Sequence, residues 1–134
     1  MKKETLTVET DEYGRITYRN TSGELHNSNG PALIWENGQH KEYYIKGQRH
    51  NPNGPAIVWA DGSKAYYING QLHNENGPAV IYSDGDKYHY INGKLHNANG
   101  PAIFHADGSK GYCINGEELT EAEFKTWQAE QTAK

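Results

Sequence analysis

The sequence predicts a mainly β protein: an elongated single sheet of antiparallel β-hairpins, repeated along the chain and closed by a C-terminal capping α-helix. Three observations carry this expectation. The stretch Gly70-Gln71-Leu72-His73-Asn74-Glu75-Asn76-Gly77-Pro78-Ala79 recurs with small changes at Gly23 to Ala32, Gly47 to Ala56 and Gly93 to Ala102, which puts the glycine before proline at 30, 54, 77 and 100. A fixed period in this range signals stacked copies of one supersecondary unit. Each copy holds two β-rich runs separated by Asp-Gly or Asn-Gly, the usual hairpin punctuation. Past residue 116 the pattern changes to that of a helix.

One domain is expected over residues 1–134, in three parts. Residues 1–22 form a degenerate N-terminal hairpin, because Leu6 to Glu9 and Arg15 to Arg19 alternate around Asp11-Glu12-Tyr13-Gly14 without the full repeat signature. Residues 23–116 form four repeats. In the second, Ala56-Ile57-Val58-Trp59-Ala60 is a strand, Asp61-Gly62 a tight turn, Lys64-Ala65-Tyr66-Tyr67-Ile68 the return strand and Asn69-Gly70 a second turn. Pro78 then begins the next strand, where its missing donor costs least. Hairpin tips fall at Gly38, Gly62, Gly85 and Gly108, and an extra residue within Gln39 to Glu42 gives the first full repeat a bulge or longer tip. About ten strands are expected in one meander. Residues 117–134 form the cap: Thr120 is an N-cap with Glu123 three residues on, and Leu119 and Phe124 stand at the positions of a hydrophobic staple. Phe124 and Trp127 share a helix face that covers the last hairpin.

Composition narrows the function. Apolar residues make up only 34%, yet there are ten Tyr and three Trp, so buried area comes largely from rings with a polar tip. The net charge is −4, and residues 116–134 alone account for −3, so the repeats lack the basic excess that holds phosphate backbones. This argues against directly bound nucleic acid. Cys113 is the single cysteine, which fits a reducing compartment. Neither a signal-peptide pattern nor an apolar run of membrane-spanning length is present, so no membrane partner and a cytoplasmic location are expected.

The period, Tyr-x-Ile-Asn-Gly before a Gly-x-x-His turn, and Asn-Gly closing that turn before an apolar strand resemble MORN-type repeats over residues 23–116. Leu-His-Asn-x-Asn-Gly-Pro-Ala is more closely similar to the divergent MORN-like repeats of uncharacterised phage, bacterial and giant-virus proteins. The chain departs from the common MORN pattern in having Asn after the His and Pro-Ala after the closing Gly. The resemblance implies a row of hairpins used as a binding or scaffolding surface and not as an enzyme. With the small size, it also implies an accessory phage or prophage protein that binds and inhibits a host factor such as a defence system, acting in the host cytoplasm.

The histidine column His26, His50, His73 and His96 is the first candidate site. Equivalent positions in a hairpin meander lie about 10 Å apart, too far for neighbours to share an ion whose donors sit at about 2 Å. Each imidazole is therefore expected to pack in its turn and to bond backbone or an Asn. No metal or cofactor is expected. Cys113, in the column of Tyr44, Tyr67 and Tyr90, reads as a small packing substitute rather than a reactive thiol. No catalytic motif is present.

The aromatic columns remain. With a two-residue Asp61-Gly62 turn, Trp59 pairs with Lys64 and Ile57 with Tyr66, so that Ile57, Trp59, Lys64, Tyr66 and Ile68 share one face. Val58, Ala65 and Tyr67 share the other, where the varied column Glu42, Ala65, Tyr88, Gly111 implies solvent. The expected partner-binding face then carries Trp35, Trp59, Tyr82 and His105 near the tips, Tyr43, Tyr66, His89 and Tyr112 behind them, and Lys64, Lys87 and Lys110 as flanking charges. Rings of this kind dominate binding hot spots. The expected function is protein–protein contact; the alternative is a small ligand, glycan or nucleotide, stacked on the same rings.

Overall fold

A computed structural model describes residues 4–133. The protein is mainly β, with one α-helix at the C-terminal end and a single 3-10 turn at Glu36–Gly38 among the described residues. The strands are β1 (Thr7–Thr10), β2 (Ile16–Arg19), β3 (Leu33–Trp35), β4 (His40–Glu42), β5 (Tyr44–Ile45), β6 (Gln48–Arg49), β7 (Ile57–Val58), β8 (Lys64–Ala65), β9 (Tyr67–Ile68), β10 (Gln71–Leu72), β11 (Val80–Ile81), β12 (Lys87–Tyr88), β13 (Tyr90–Ile91), β14 (Lys94–Leu95), β15 (Ile103–Phe104), β16 (Lys110–Ile114) and β17 (Glu117–Leu119), followed by α1 (Glu121–Thr132). The chain divides into two compact units, Met1–Gln71 and Leu72–Lys134. In the first unit, β1-β2-β3-β4-β7-β8 follow one another in an antiparallel sheet, and in the second β11-β12-β15-β16-β17 do the same.

The single meander expected from the repeat is corrected in one respect. In three of the four full repeats the return strand breaks after two or three residues and its continuation forms a separate two-stranded ribbon, β5–β6, β9–β10 and β13–β14, whereas β16 runs unbroken and pairs with β17. The break falls at Tyr43, Tyr66 and His89, which lie outside any strand. In the first unit Tyr43 donates its N–H to the Ala56 carbonyl at 2.7 Å, while its own carbonyl accepts from His50 N–H at 3.0 Å. His89 does the same in the second unit with Ala102 and His96. One residue thus bonds the sheet with one backbone group and the ribbon with the other. Tyr18 repeats this with Ala32 and His26, so residues 7–31 are a fuller repeat than their side chains suggest.

Ala32, Ala56, Ala79 and Ala102 have no exposed surface. Alanine adds no side chain beyond Cβ at this crowded corner.

The two turn dipeptides differ, and the difference resets the register. Asn69-Gly70 has positive φ at both residues (50° and 81°), as do Asn92-Gly93 and Asn115-Gly116. These are two-residue type I′ turns. At Asp61-Gly62 only the glycine is left-handed, at 91°. Trp59 N–H donates to the Ser63 carbonyl and Gly62 N–H to the Trp59 carbonyl, both at 2.9 Å, which is a three-residue loop with a glycine bulge. Asp61 Oδ1 accepts Ser63 N–H at 2.8 Å and holds the loop in that form. Ile57 consequently faces Ala65, and Val58 faces Lys64. The expected pairs Trp59–Lys64 and Ile57–Tyr66 are off by one residue, and a one-residue slip moves side chains to the opposite face.

The cap follows its sequence signal. Thr120 Oγ1 accepts Glu123 N–H at 3.1 Å, and Glu123 Oε1 accepts Thr120 N–H at 2.8 Å. Phe124 is buried between Tyr112 and Trp127, with ring centroids at 4.8 and 6.1 Å, and α1 packs on β16 and β17.

The register is directly checkable. Because Trp59 and Ser63 are hydrogen-bonded, Val58 and Lys64 are the adjacent non-bonded pair, whose Cα atoms approach to about 4.5 Å. A strong Hα–Hα nuclear Overhauser contact is expected between Val58 and Lys64 and none between Trp59 and Lys64; the reverse result restores the two-residue turn.

Candidate partner-binding surface

The corrected register separates the residues the sequence grouped together. In the first unit, one face of the main sheet carries Leu33, Trp35, His40, Glu42, Ile57 and Ala65, with Trp59 opposite Ser63 at the tip. The other face carries Ile16, Ile34, Lys41, Val58 and Lys64. In the second unit Val80 faces Tyr88 and Tyr88 faces Ile103, with Tyr82 and His105 at the tips on that same side. Lys87 and Lys110 pair with Ile81 and Phe104 on the reverse side. Lys64, Lys87 and Lys110 therefore stand behind the tip rings and do not flank them.

At the tips the rings are open. Trp35 is 40% exposed and Tyr82 44%. Trp35 meets His40 edge-on at 6.3 Å, which fixes one side of the indole and leaves the rest in solvent. In the second unit Tyr82 and His105 each meet Tyr88 edge-on at 6.0 Å, and His105 Nδ1 lies 3.6 Å from Asp86 Oδ2. Sequence reasoning placed Tyr88 on the opposite face; the register makes it the centre of this ring cluster.

The residues behind the tips do something else. Tyr43 and His89 are the corner residues, and each lines a groove between two successive Asn-x-Asn-Gly loops. The first groove, about 640 Å³, includes Tyr43, Ile45, His50, Asn29 and Asn53. The second, about 550 Å³, includes His89, Ile91, His96, Asn76 and Asn99. Burial pushes the His89 imidazole below its usual pKa, against the hydrogen bond to the Gly77 carbonyl. Tyr66 occupies the same corner position and is half-buried. Tyr112 lies under the cap, stacked near Phe124, with its hydroxyl donating to Glu121 at 3.1 Å. It does not belong to an open face.

The column Glu42, Ala65, Tyr88, Gly111 is also corrected: Ala65 is 1% exposed, and the Glu42 side chain 14%. The ribbon covers this face near Glu42. Glu42 accepts from Tyr44 Oη at 2.8 Å and from Arg49 Nε and Nη2 at 3.4 Å, and its other oxygen lies 2.8 Å from His40 Nε2. Arg49 in turn lies over the Tyr44 and Tyr67 rings at 5.7 and 5.5 Å. Burial alone raises the Glu42 pKa, but the bonds from His40 and Tyr44 and the Arg49 charge outweigh it, and the carboxyl ends below its ordinary value.

The histidine column is occupied by the backbone. Nδ1 of His26, His50, His73 and His96 accepts the N–H of Lys46, Asn69, Asn92 and Asn115 at 2.8, 2.9, 3.0 and 3.0 Å. The first Asn of each pair is equally committed: Asn51 and Asn74 donate Nδ2 to the Pro55 and Pro78 carbonyls at 2.9 and 3.0 Å, and their Oδ1 accepts Asn53 and Asn76 N–H. The second Asn of each pair is exposed at the groove rim. Cys113 is buried, and burial, with the Glu118 charge, pushes its thiol pKa up, away from reactivity. Among the described residues no group of three or more His, Cys, Asp or Glu converges as a metal site. No helix among them is long and apolar enough to cross a membrane.

Comparison with known proteins finds no matching family model and no matching curated protein.

The Glu42 network yields a pH prediction. Its folded pKa lies below the unfolded value of 4.5, so the stability it contributes is complete above that value and is lost as pH falls through the folded value. Glu42→Gln is expected to lose on the order of 1–2 kcal/mol at neutral pH and to flatten the acid arm of the stability curve. Thermal midpoints taken from neutral pH down through the carboxylate range check this; parallel acid arms for the two proteins contradict it.

Proposed function

We propose that the chain is a non-enzymatic interaction module of MORN-like hairpin repeats, docking a protein partner through the rings at its hairpin tips. The observation that carries this is the exposure of Trp35 and Tyr82 in a protein that buries mainly alanine and small aliphatic side chains. An exposed indole or phenol, held on one side by a neighbouring ring, supplies contact area with little conformational entropy left to lose. Each unit presents its own pair, Trp35 and Trp59 in the first and Tyr82 and His105 in the second. The narrower reading, an accessory phage protein that blocks a host factor, rests on the resemblance of the repeats alone.

A glycan or nucleotide reading is favoured by a different feature, the Asn-rimmed grooves with an aromatic or imidazole side at Tyr43 or His89. Carboxamides and a ring edge suit hydroxyl-rich ligands. A ligand-dependent rise in thermal midpoint with sugars or nucleotides, lost on Asn99→Ala, would favour it over protein docking.

The test of the first reading uses a photoreactive amino acid at Trp35, at Tyr82 and, as the comparison, at Lys64. Cross-linking to one protein partner is expected from the two tip positions and not from Lys64. With that partner in hand, Trp35→Ala or Tyr82→Ala should each weaken binding by on the order of 2 kcal/mol. Cross-links from Lys64 alone, or unchanged affinity in the folded variants, would move the site off the tips.

A further inference from the structure

The first strand is an open edge. β1 pairs with β2 from Thr7 opposite Arg19 to Thr10 opposite Ile16, and no described strand lies on its other side. Asp11 N–H donates to the Arg15 carbonyl at 3.0 Å, so Asp11 and Arg15 are a hydrogen-bonded pair. By antiparallel alternation Glu9–Thr17 and Thr7–Arg19 are bonded pairs too, whereas Val8–Tyr18 and Thr10–Ile16 are not. Tyr18 agrees, since its N–H goes to Ala32 and its carbonyl accepts from His26, both away from β1. The N–H and C=O groups of Val8 and Thr10 consequently point outward. Val8 is 54% exposed.

In the second unit the last strand is treated differently: β17 runs into α1, which packs on β16 and β17. Within β1 there is no proline, bulge or lysine and no described element covers it, so of the features that normally blunt an exposed edge only its four-residue length and the Glu9 charge are present. Glu4 bonds His26 and Ser28 and holds the approach to the strand; its carboxyl pKa is lowered to about 2, chiefly by the Ser28 hydroxyl and His26.

We infer that β1 is a self-association edge that takes β1 of a second copy antiparallel about a two-fold axis. Charge disfavours the registers centred on Glu9 and on Thr10. An axis at Glu9 sets the two Glu9 carboxylates directly opposite each other, and an axis at Thr10 sets Glu9 against Asp11; like charges so placed are destabilising. An axis at Val8 avoids both. It pairs Val8 with Val8, Leu6 with Thr10 and Thr7 with Glu9, uses the outward backbone groups on both strands, and covers the exposed valine with its own copy. The interface is isologous, as closed dimers require.

Sedimentation velocity of the full chain over a concentration series tests this. A reversible dimer is expected. Val8→Pro should abolish it while leaving the circular dichroism spectrum unchanged, because Val8 N–H takes no part in the β1–β2 ladder. Thr7→Lys places an ammonium opposite Glu9 of the second copy and should tighten the dimer roughly threefold or more, and Thr7→Glu should weaken it by a similar factor. A monomer at every concentration overturns the inference, as does a folded Val8→Pro protein that still dimerises. Should Val8→Pro disturb the fold, equal dimer affinity in the two Thr7 variants overturns it instead.

Discussion

The structure depends on one hydrogen bond made four times: an imidazole Nδ1 accepting the first left-handed backbone N–H of a neighbouring type I′ turn. A left-handed residue other than glycine costs about 1–2 kcal/mol, and the N–H it turns outward is not used by the turn itself. The histidine of the preceding repeat supplies the missing acceptor. The following glycine N–H completes the link, since Gly47, Gly70, Gly93 and Gly116 donate to the carbonyls of Leu25, Arg49, Leu72 and Leu95. Lys46 shows how strong the requirement is. It takes the left-handed position at φ 50° where the other repeats use Asn, and it keeps the same bond to His26.

From this link the rest follows. Stacked turns place the corner residues Tyr43 and His89 where their N–H reaches the sheet and their carbonyl reaches the ribbon. The corner is too tight for any side chain larger than alanine, so Ala32, Ala56, Ala79 and Ala102 carry no exposed surface. A core built on alanine leaves large rings with nowhere to be fully buried. Phe124 escapes because α1 carries it onto β16 and β17, against Tyr112, and Cys113 is buried where the other repeats place a half-buried tyrosine. Trp35, Tyr82 and His105 meet a neighbouring ring edge-on at the tips, and Tyr44 and Tyr67 lie beside Arg49, half in water. Their availability for a partner is thus a consequence of the repeat geometry.

Much of this was legible in the residues. The period, the glycines at the tips, the proline-led strands and the Thr120–Glu123 box each have a local physical cause, and a short stretch of sequence displays each one. The histidine column was legible as structural because its spacing forbids convergence on an ion. The register was not legible from the Asp-Gly dipeptide alone. Type I′ needs two left-handed residues; Asn69 accepts this and Asp61 does not, because its carboxylate instead binds Ser63 N–H. A Ser after Asp-Gly, at Ser63 and Ser109, was the available signal. The error propagated as register errors do, so that Lys64, Lys87 and Lys110 were set beside rings that lie on the other face. The breaks at Tyr43 and His89 had no local signal at all, because they are made by backbone bonds to Ala56 and Ala102, thirteen residues further along in each case.

The central claim is that the histidines fasten one repeat to the next. Nitrogen NMR of the imidazole rings tests it most directly. An Nδ1 that accepts a backbone N–H leaves the ring proton on Nε2, so all four column histidines should show the Nε2–H tautomer. Each should also show a scalar coupling across the hydrogen bond to the amide nitrogen of Lys46, Asn69, Asn92 or Asn115. Nδ1–H tautomers at these four positions, or fast hydrogen exchange at those amides in the folded protein, would contradict the account.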